Sequence, residues 1–504
     1  MAILKSGAVR HYSTGGVEAL QHRLAQLWQQ QPTATGCCVA LSGGLDSTLL
    51  LQLLARQSPP LPLRAIHIHH ALQSAADNWA QWCQQFADRL QIPLTIIRVQ
   101  VDRHHPGGLE AAARQARYQA LRSALQAGEL LLTGHHRNDQ AETLLLQLLR
   151  GSGSAGLAAM PPSRRLGRGW LLRPLLPFDR AQLQRSAEAL GLDWIEDPSN
   201  QDIRFDRNLL RQRLLPLLTE RRPGAVATLA RSSEQLAEDA ALLQSLAAID
   251  LAQVVAADGQ HDPVDTIPPS LPLLPLQQLT PARTRNLLRY WLRQRALPLP
   301  SATTLAALEQ QLLPAAADAE PVVRWPGAEL RRYRYRLYAF TPLPPPPPAG
   351  WQQPITLTDA PLQRALLPPG CGVLLLRRAG NGLLLPPNGA ISVQIGISGS
   401  YRCRRHPDAP SQQLRRLWQQ FGIPPWLRQR WPLLMVDDAL CWIPGIGACY
   451  YHHAATAEGE GEHWSIRWLP ATPLIGAGGG VLPAGAASWC VLEQYALAAA
   501  DNGG

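Results

Sequence analysis

Residues 37–50, CCVALSGGLDSTLL, constrain the fold more than any other stretch of the chain. An apolar run ends in Ser42-Gly43-Gly44-Leu45-Asp46-Ser47, and an apolar helical run opens at Ser47. Two adjacent glycines let the backbone turn tightly and approach a ligand without a Cβ. The helix that follows points free N–H groups and the positive end of its dipole at the turn, which makes an anion site. Ser42 and Ser47 add hydroxyls. Asp46 would repel a phosphate unless a divalent cation lay between them, so the string predicts Mg²⁺ at Asp46. The lysine of G-x-x-x-x-G-K-[ST] is absent, which disfavours γ-phosphate transfer of the Walker kind. The single lysine of the chain is Lys5.

Strands alternate with helices from about residue 30 to 150. The β-like runs are 37–41, 63–69, 94–101 and 130–133, and helices open near Ser47, Ala76, Leu109 and Asp139. This alternation predicts right-handed βαβ units around a parallel sheet. A further strand (WLLRPLL) and two helices carry the pattern to about residue 218. We therefore expect an α/β chain with an N-terminal extension (1–29) and a parallel-sheet domain built on the phosphate loop (30–218). A helical middle domain (219–341), a proline-rich linker (342–350) that acts as a stiff spacer, a small α+β C-terminal domain (351–455) and a Gly/Ala-rich tail (456–504) follow.

Composition narrows the classes of function. With 46% hydrophobic and 17% charged residues, the 504-residue chain is too apolar to be disordered. No apolar run reaches about 18 residues, and MAILKSGAVRHYS has no apolar leader core. No membrane span or secretory leader is therefore expected. Eight cysteines without a C-x-x-C argue against a disulfide framework or zinc ribbon and make the cytoplasm the expected compartment. The net charge of +10 favours a polyanionic partner, and arginine supplies bidentate phosphate donors.

Ligands of an open α/β sheet bind outside the carboxyl ends of its strands. Three polar groups fall there: residues 42–47, then His69 and His70, then Gly134, His135 and His136 with Asp139 and Glu142 on the next helix. Spacing of i,i+3 puts both acids on one helical face. Glu110, Arg114 and Arg117 recur at helical spacing after the third strand. Taken singly, the acids could be helix-dipole partners and the histidines ordinary loop ends. Convergence on one edge favours function.

The S-G-G-x-D-S string resembles the PP-loop of the N-type ATP pyrophosphatases, which cleave ATP to AMP and pyrophosphate. HIHHAL, EAAARQARY, LLTGHHRNDQAETLLLQLLRGSGSAGL, WIEDPSNQD and DRNLLRQRLLPLL follow in that order. Together they resemble the tRNA(Ile)-lysidine synthetase family over nearly all of residues 37–218. WQQFGIPPWLRQRWPLL resembles that family's C-terminal domain, and the segment between resembles its tRNA-contacting middle domain.

The resemblance implies that L-lysine is joined to C2 of the wobble cytidine in the CAU anticodon of tRNA(Ile). ATP adenylates the C2 oxygen with release of pyrophosphate, and the lysine ε-amine displaces AMP. It implies ATP contacts from Ser42, Gly43, Gly44, Leu45, Asp46 and Ser47, with Mg²⁺ on Asp46. Arg114 would neutralise developing charge, and Asp139 or Glu142 would attract the lysine and accept its proton. Lysine or tRNA contacts are implied for His135, His136, Arg117, Arg150, Arg207 and Asn208. A homodimer is left open.

RNA contacts are expected outside the sheet domain. The candidates are Arg285, Arg289 and Arg293 beside Tyr290 and Trp291, then Arg331, Arg332, Arg334 and Arg336 among Tyr333 and Tyr335, then Arg402, Arg404, Arg405, Arg415 and Arg416. Arginine meets phosphate and aromatic rings stack on unpaired bases. Two other readings exist. A PP-loop tRNA thiolase would need sulfur-carrying cysteines, and a non-catalytic RNA-binding scaffold would not need Ser42, Asp46, Asp139 and Glu142.

Overall fold

The computed structural model describes residues 16–471, except 32, 58, 74, 106, 258–269, 316–318, 359, 387–388 and 451–460. Lys5 and the tail beyond 471, with Trp489, lie outside the described residues. Contacts divide the chain into two units, Met1–Leu242 and Leu243–Gly504.

The first unit is built on a six-stranded sheet. Its strands are β1 (Cys37–Ala40), β2 (Leu63–His69), β3 (Leu94–Arg98), β4 (Leu130–Leu132), β5 (Ser163–Leu166) and β6 (Gly169–Leu172). They lie in the order β3-β2-β1-β4-β6-β5. The first five positions are parallel, and β5 closes the edge as an antiparallel hairpin with β6. The short runs CCVA and LLL are apolar throughout because helices cover both faces of a parallel sheet. β6 stops at Leu172, just before Arg173-Pro174, since proline has no N–H for the ladder.

Helices α1 (Val17–Gln30), α2 (Leu45–Gln57), α3 (Ala76–Arg89), α4 (Gly108–Ala124), α5 (Arg137–Leu149), α6 (Ser154–Leu157) and α7 (Arg180–Ala189) connect or cover the strands. α2 is the central helix, with Leu49, Leu50, Leu51, Leu53 and Leu54 fully buried. It opens at Leu45 rather than Ser47, so Asp46 and Ser47 stand in its first turn. The strand order reverses between β1 and β4. The loops after these two strands therefore meet at the topological switch point, where such sheets bind ligands.

Two expected boundaries are corrected. The supposed extension 1–29 contains α1, whose Leu20, Leu24 and Leu27 form a helical stripe in the same core as α2. The sheet domain thus begins by Val17. The supposed tail 456–504 contains a strand, Glu462–Leu469, that pairs antiparallel with Val373–Leu385. Trp464 and Trp468 alternate inward from it and are buried, so the C-terminal domain extends to Leu469.

In the second unit the middle segment joins a four-stranded antiparallel sheet to its helices. The order is Leu271–Pro272, Arg336–Phe340, Ala328–Tyr333, Val322–Trp325. The C-terminal domain holds a five-stranded sheet (Trp351–Pro354, Ile391–Ile395, Leu433–Val436, Ala439–Ile443, Gly447–Ala448) and a three-stranded one (Gln363–Leu366, Val373–Leu385, Glu462–Leu469). One helix among the described residues, Ala225–Ala256, reaches the length and mean apolarity of a membrane span, as core helices of other folds also do. It carries a buried Asp250 paired with Arg283.

Leu50 lies in the middle of α2 with no exposed surface. Leu50→Ala should cost about 2–5 kcal/mol, measured as the shift of the first unfolding transition in urea.

Candidate active site

The phosphate loop is shaped by its own hydroxyls. The Ser47 hydroxyl donates to the Gly44 carbonyl at 3.0 Å and accepts from the Ser42 N–H at 3.1 Å. Ser42 Oγ lies 3.0 Å from Ser47 Oγ, and Thr48 Oγ1 donates to the Gly43 carbonyl at 3.1 Å. Gly43 has φ of +85°, and a Cβ there would stand 2.5 Å from Ile195 Cδ1. Leu45 turns its side chain into the core, so it can offer a ligand only its backbone. The first N–H groups of α2 have no intrahelical acceptor.

Asp46 faces this loop. One oxygen accepts from Arg180 at 2.8 Å, and the other, Oδ1, is buried without a partner. Burial pushes its carboxyl up, against the opposing pull of His136 and Arg180. A divalent cation suits both facts, since it would fill Oδ1 and restore the charged form. Among the described residues no three His, Cys, Asp or Glu side chains gather as a metal cage. Such an ion would complete its shell with phosphate and water oxygens, as Mg²⁺ does.

The second half of the site is the start of α5. His136 is its N-cap, in a capping box with Asp139: the His136 N–H donates to Asp139 Oδ2 at 3.0 Å, and the Asp139 N–H donates to His136 Nδ1 at 3.4 Å. Nδ1 therefore accepts, which turns the Nε2 proton toward the acids. Nε2 lies 3.7 Å from Asp46 Oδ2 and 3.5 Å from Asp139 Oδ2. One imidazole thus joins the acid of the phosphate loop to the acid of α5.

Asp139 is 7% exposed and Glu142 is 0% exposed. Two arginines from the helical segment 206–221 hold them. Arg207 donates to Glu142 at 2.7 Å and to Asp139 at 2.8 Å. Arg211 donates to Glu142 at 2.7 Å and to Asp139 at 3.1 Å. Burial alone would raise the Asp139 carboxyl, but His136, Arg207, His135 and Arg211 outweigh it and hold it well below the usual range. Residues Leu210–Leu214 form a π-helical turn just before Pro216. The wider turn spares the ladder a donor that proline lacks, and Arg211 stands on it.

The other candidates are distributed around this centre. His135 bonds Thr133 Oγ1 at 2.8 Å, and burial with nearby guanidiniums holds it neutral, down to about 3. Arg114 and Arg117 lie over the Tyr118 ring on α4, and Arg117 reaches Arg207 electrostatically. Asn208 turns away and ties the Ser199 and Asp202 carbonyls, both at 2.9 Å. Arg150 is exposed at the far cap of α5, about 16 Å along the axis from Asp139. The sequence reading missed Arg180 and Arg211. The i,i+4 spacing of Arg207 and Arg211 was a usable signal, because the acids they meet are spaced i,i+3.

Residues 17–218 match a family model described as the PP-loop domain, 271–338 the TilS substrate binding domain, and 391–468 the TilS substrate C-terminal domain. A tRNA(Ile)-lysidine synthase of Alkalilimnicola ehrlichii is 46% identical over 417 residues, covering 82% of this chain and 90% of the relative. Those of Pseudomonas aeruginosa (42% over 469 residues, 90% and 98% covered) and Pectobacterium atrosepticum (40% over 458 residues, 88% and 98% covered) are also similar. The chain belongs to the tRNA(Ile)-lysidine synthase family. The resemblance read from the sequence is thereby borne out.

Burial sorts the arginine groups in the second unit of this lysidine synthase family member. Trp291 is core, and Arg285 pairs with Glu309 at 3.0 Å. Arg332 is buried and donates to the Leu313 carbonyl at 3.1 Å, while Arg331 holds Glu329 at 2.9 Å. Each of these three arginines thus has a partner within the protein. Arg334, Tyr335, Arg402, Arg404, Arg405, Arg415 and Arg416 are exposed.

Gly134 backs the loop closely. A Cβ at that position would stand 2.9 Å from the Asp46 carbonyl carbon and 3.0 Å from the Ser47 nitrogen. Gly134→Ala should weaken magnesium-ATP binding at least tenfold with a smaller loss of stability, read by calorimetric titration alongside a melting curve.

Proposed function

We propose that the chain joins L-lysine to C2 of the wobble cytidine in the CAU anticodon of tRNA(Ile), forming lysidine with ATP as adenylyl donor. The observation that carries this reading is His136, within 4 Å of both Asp46 and Asp139. A nucleotide on the loop and an amine on the acidic pair would then share one site.

Ser42, Ser47 and the first N–H groups of α2 would bind the ATP phosphates. Asp46 would hold Mg²⁺, which supplies charge neutralisation at the phosphates when bound. The cytidine C2 oxygen attacks the α-phosphorus and pyrophosphate leaves. Arg114 would offset the charge that builds on the oxygens of that transfer.

The lysine ε-amine then attacks C2, the C–O bond to AMP breaks, and the amine gives up a proton. At pH 7 only about one free lysine in 2,500 carries a neutral ε-amine, a deficit of about 4.6 kcal/mol. Arg207 beside the amine would disfavour its charged form. A carboxylate that accepts the proton is worth typically about 10²–10⁴. We assign that role to Asp139, which faces Asp46 through His136, with Glu142 holding the arginines behind it.

Arg211 stands on the acidic pair as a cation, as the lysine ammonium would. Its side chain is 36% exposed against 22% for Arg207, so Arg211 is the one to yield to substrate. The thiolase reading finds no support in this unit. Cys37, Cys38 and Cys83 are buried, and burial pushes the Cys38 and Cys83 thiols up to about 12, whereas sulfur chemistry needs the thiolate.

Mass spectrometry of a CAU-anticodon tRNA incubated with ATP and labelled lysine should find lysidine at the wobble position. An unmodified tRNA would reject the reading. Asp139→Asn should lose about 10²–10⁴ in lysidine formation while still releasing pyrophosphate. Arg211→Gln should lower the KM for lysine severalfold, and an unchanged KM would place the lysine elsewhere.

A further inference from the structure

Tyr118, on α4, is the hub of a cationic cluster that the steps above leave largely unused. The guanidinium carbons of Arg114 and Arg164 lie 5.0 Å from its ring centroid and that of Arg117 lies 5.5 Å away. Its hydroxyl meets Arg173. The four arginines come from α4, β5 and the residue after β6, three elements brought together only by the sheet.

Among the described residues, none of the four makes an ion pair with a carboxylate. The acid that acts on Arg117 is Glu110, which is exposed. Arg173 is 3% exposed, and its Nε is buried without a partner. Burial and neighbouring guanidiniums push Arg117 and Arg173 down. The nearby His135 and His70 are held neutral, to about 3 and about 4, by burial and by these cations. Nothing in the cluster balances its charge except the electron-rich face of one ring.

Arg114 is exposed, so the cluster opens to solvent on one side, as an extended strand would require.

We propose that the Tyr118 cluster is a second oxyanion site that takes a phosphodiester of the tRNA substrate, with Arg114 at the edge it shares with the adenylyl transfer. The identity of the ligand as tRNA rests on the function proposed above; the oxyanion chemistry rests on the four guanidiniums. Their planar forks match phosphate oxygens bidentately.

Arg164 tests this, because it lies on the edge strand and has no part in the ligation steps. The dissociation constant of a CAU-anticodon tRNA transcript is measured for the full chain between 50 and 200 mM NaCl, with magnesium-ATP affinity in parallel. Arg164→Gln should weaken tRNA binding about tenfold at 50 mM. It should also flatten the slope of log affinity against log salt by about 0.7, the share of one single-strand phosphate. Arg164→Lys should restore the slope and only part of the affinity. ATP affinity should stay within about twofold in both variants.

Unchanged tRNA affinity and slope in Arg164→Gln would overturn the proposal. So would weakened ATP binding with tRNA binding intact, which would give the site to the nucleotide. A wild-type chain that binds tRNA with this salt dependence yet makes no lysidine would overturn the proposed function and leave the site standing.

Discussion

Glu142 has no exposed surface and Asp139 very little, so neither carboxylate can remain charged without cations in contact. That requirement organises the first unit. It brings the 206–221 segment down onto α5, because Arg207 and Arg211 are what the acids need. It gives His136 a reason to cap α5 through Nδ1, which leaves Nε2 for Asp46. The acidic pair proposed above to take a cationic amine is thus held by cations of the protein's own.

Much of this was readable from the residues, and for a physical reason. Strands buried on both faces appear as unbroken apolar runs, so β1 and β4 fell within a residue of their expected limits. The glycine turn and the acids at i,i+3 spacing marked the two loops that meet at the switch point. α1 was less legible because its stripe is only three leucines deep, within a stretch rich in glutamine. Arg180 was illegible as a partner because it comes from a separate helix that only the tertiary fold brings to Asp46, whereas Arg211 carried a hint in its i,i+4 spacing from Arg207.

The second unit shows the limit of reading charge from sequence. Arg332 and Arg334 are two residues apart in a single arginine–tyrosine run. Strand alternation turns the first into the core, where it satisfies carbonyls, and the β-turn exposes the second. An arginine-rich string therefore measures how many cations a surface could have, and pleat and burial decide how many it keeps.

The strand Glu462–Leu469 carries a consequence for how the molecule is made. Val373 pairs with Leu469 and Leu385 with Glu462, and Trp431 meets Trp468 edge-on with ring centroids 4.6 Å apart. Until that ribbon has left the ribosome, the aromatic heart of the domain stands open to water. Closure across so long a stretch of chain is slow compared with local helix formation, so nascent polypeptides must pass through a stage in which bare tryptophans invite self-association or a chaperone.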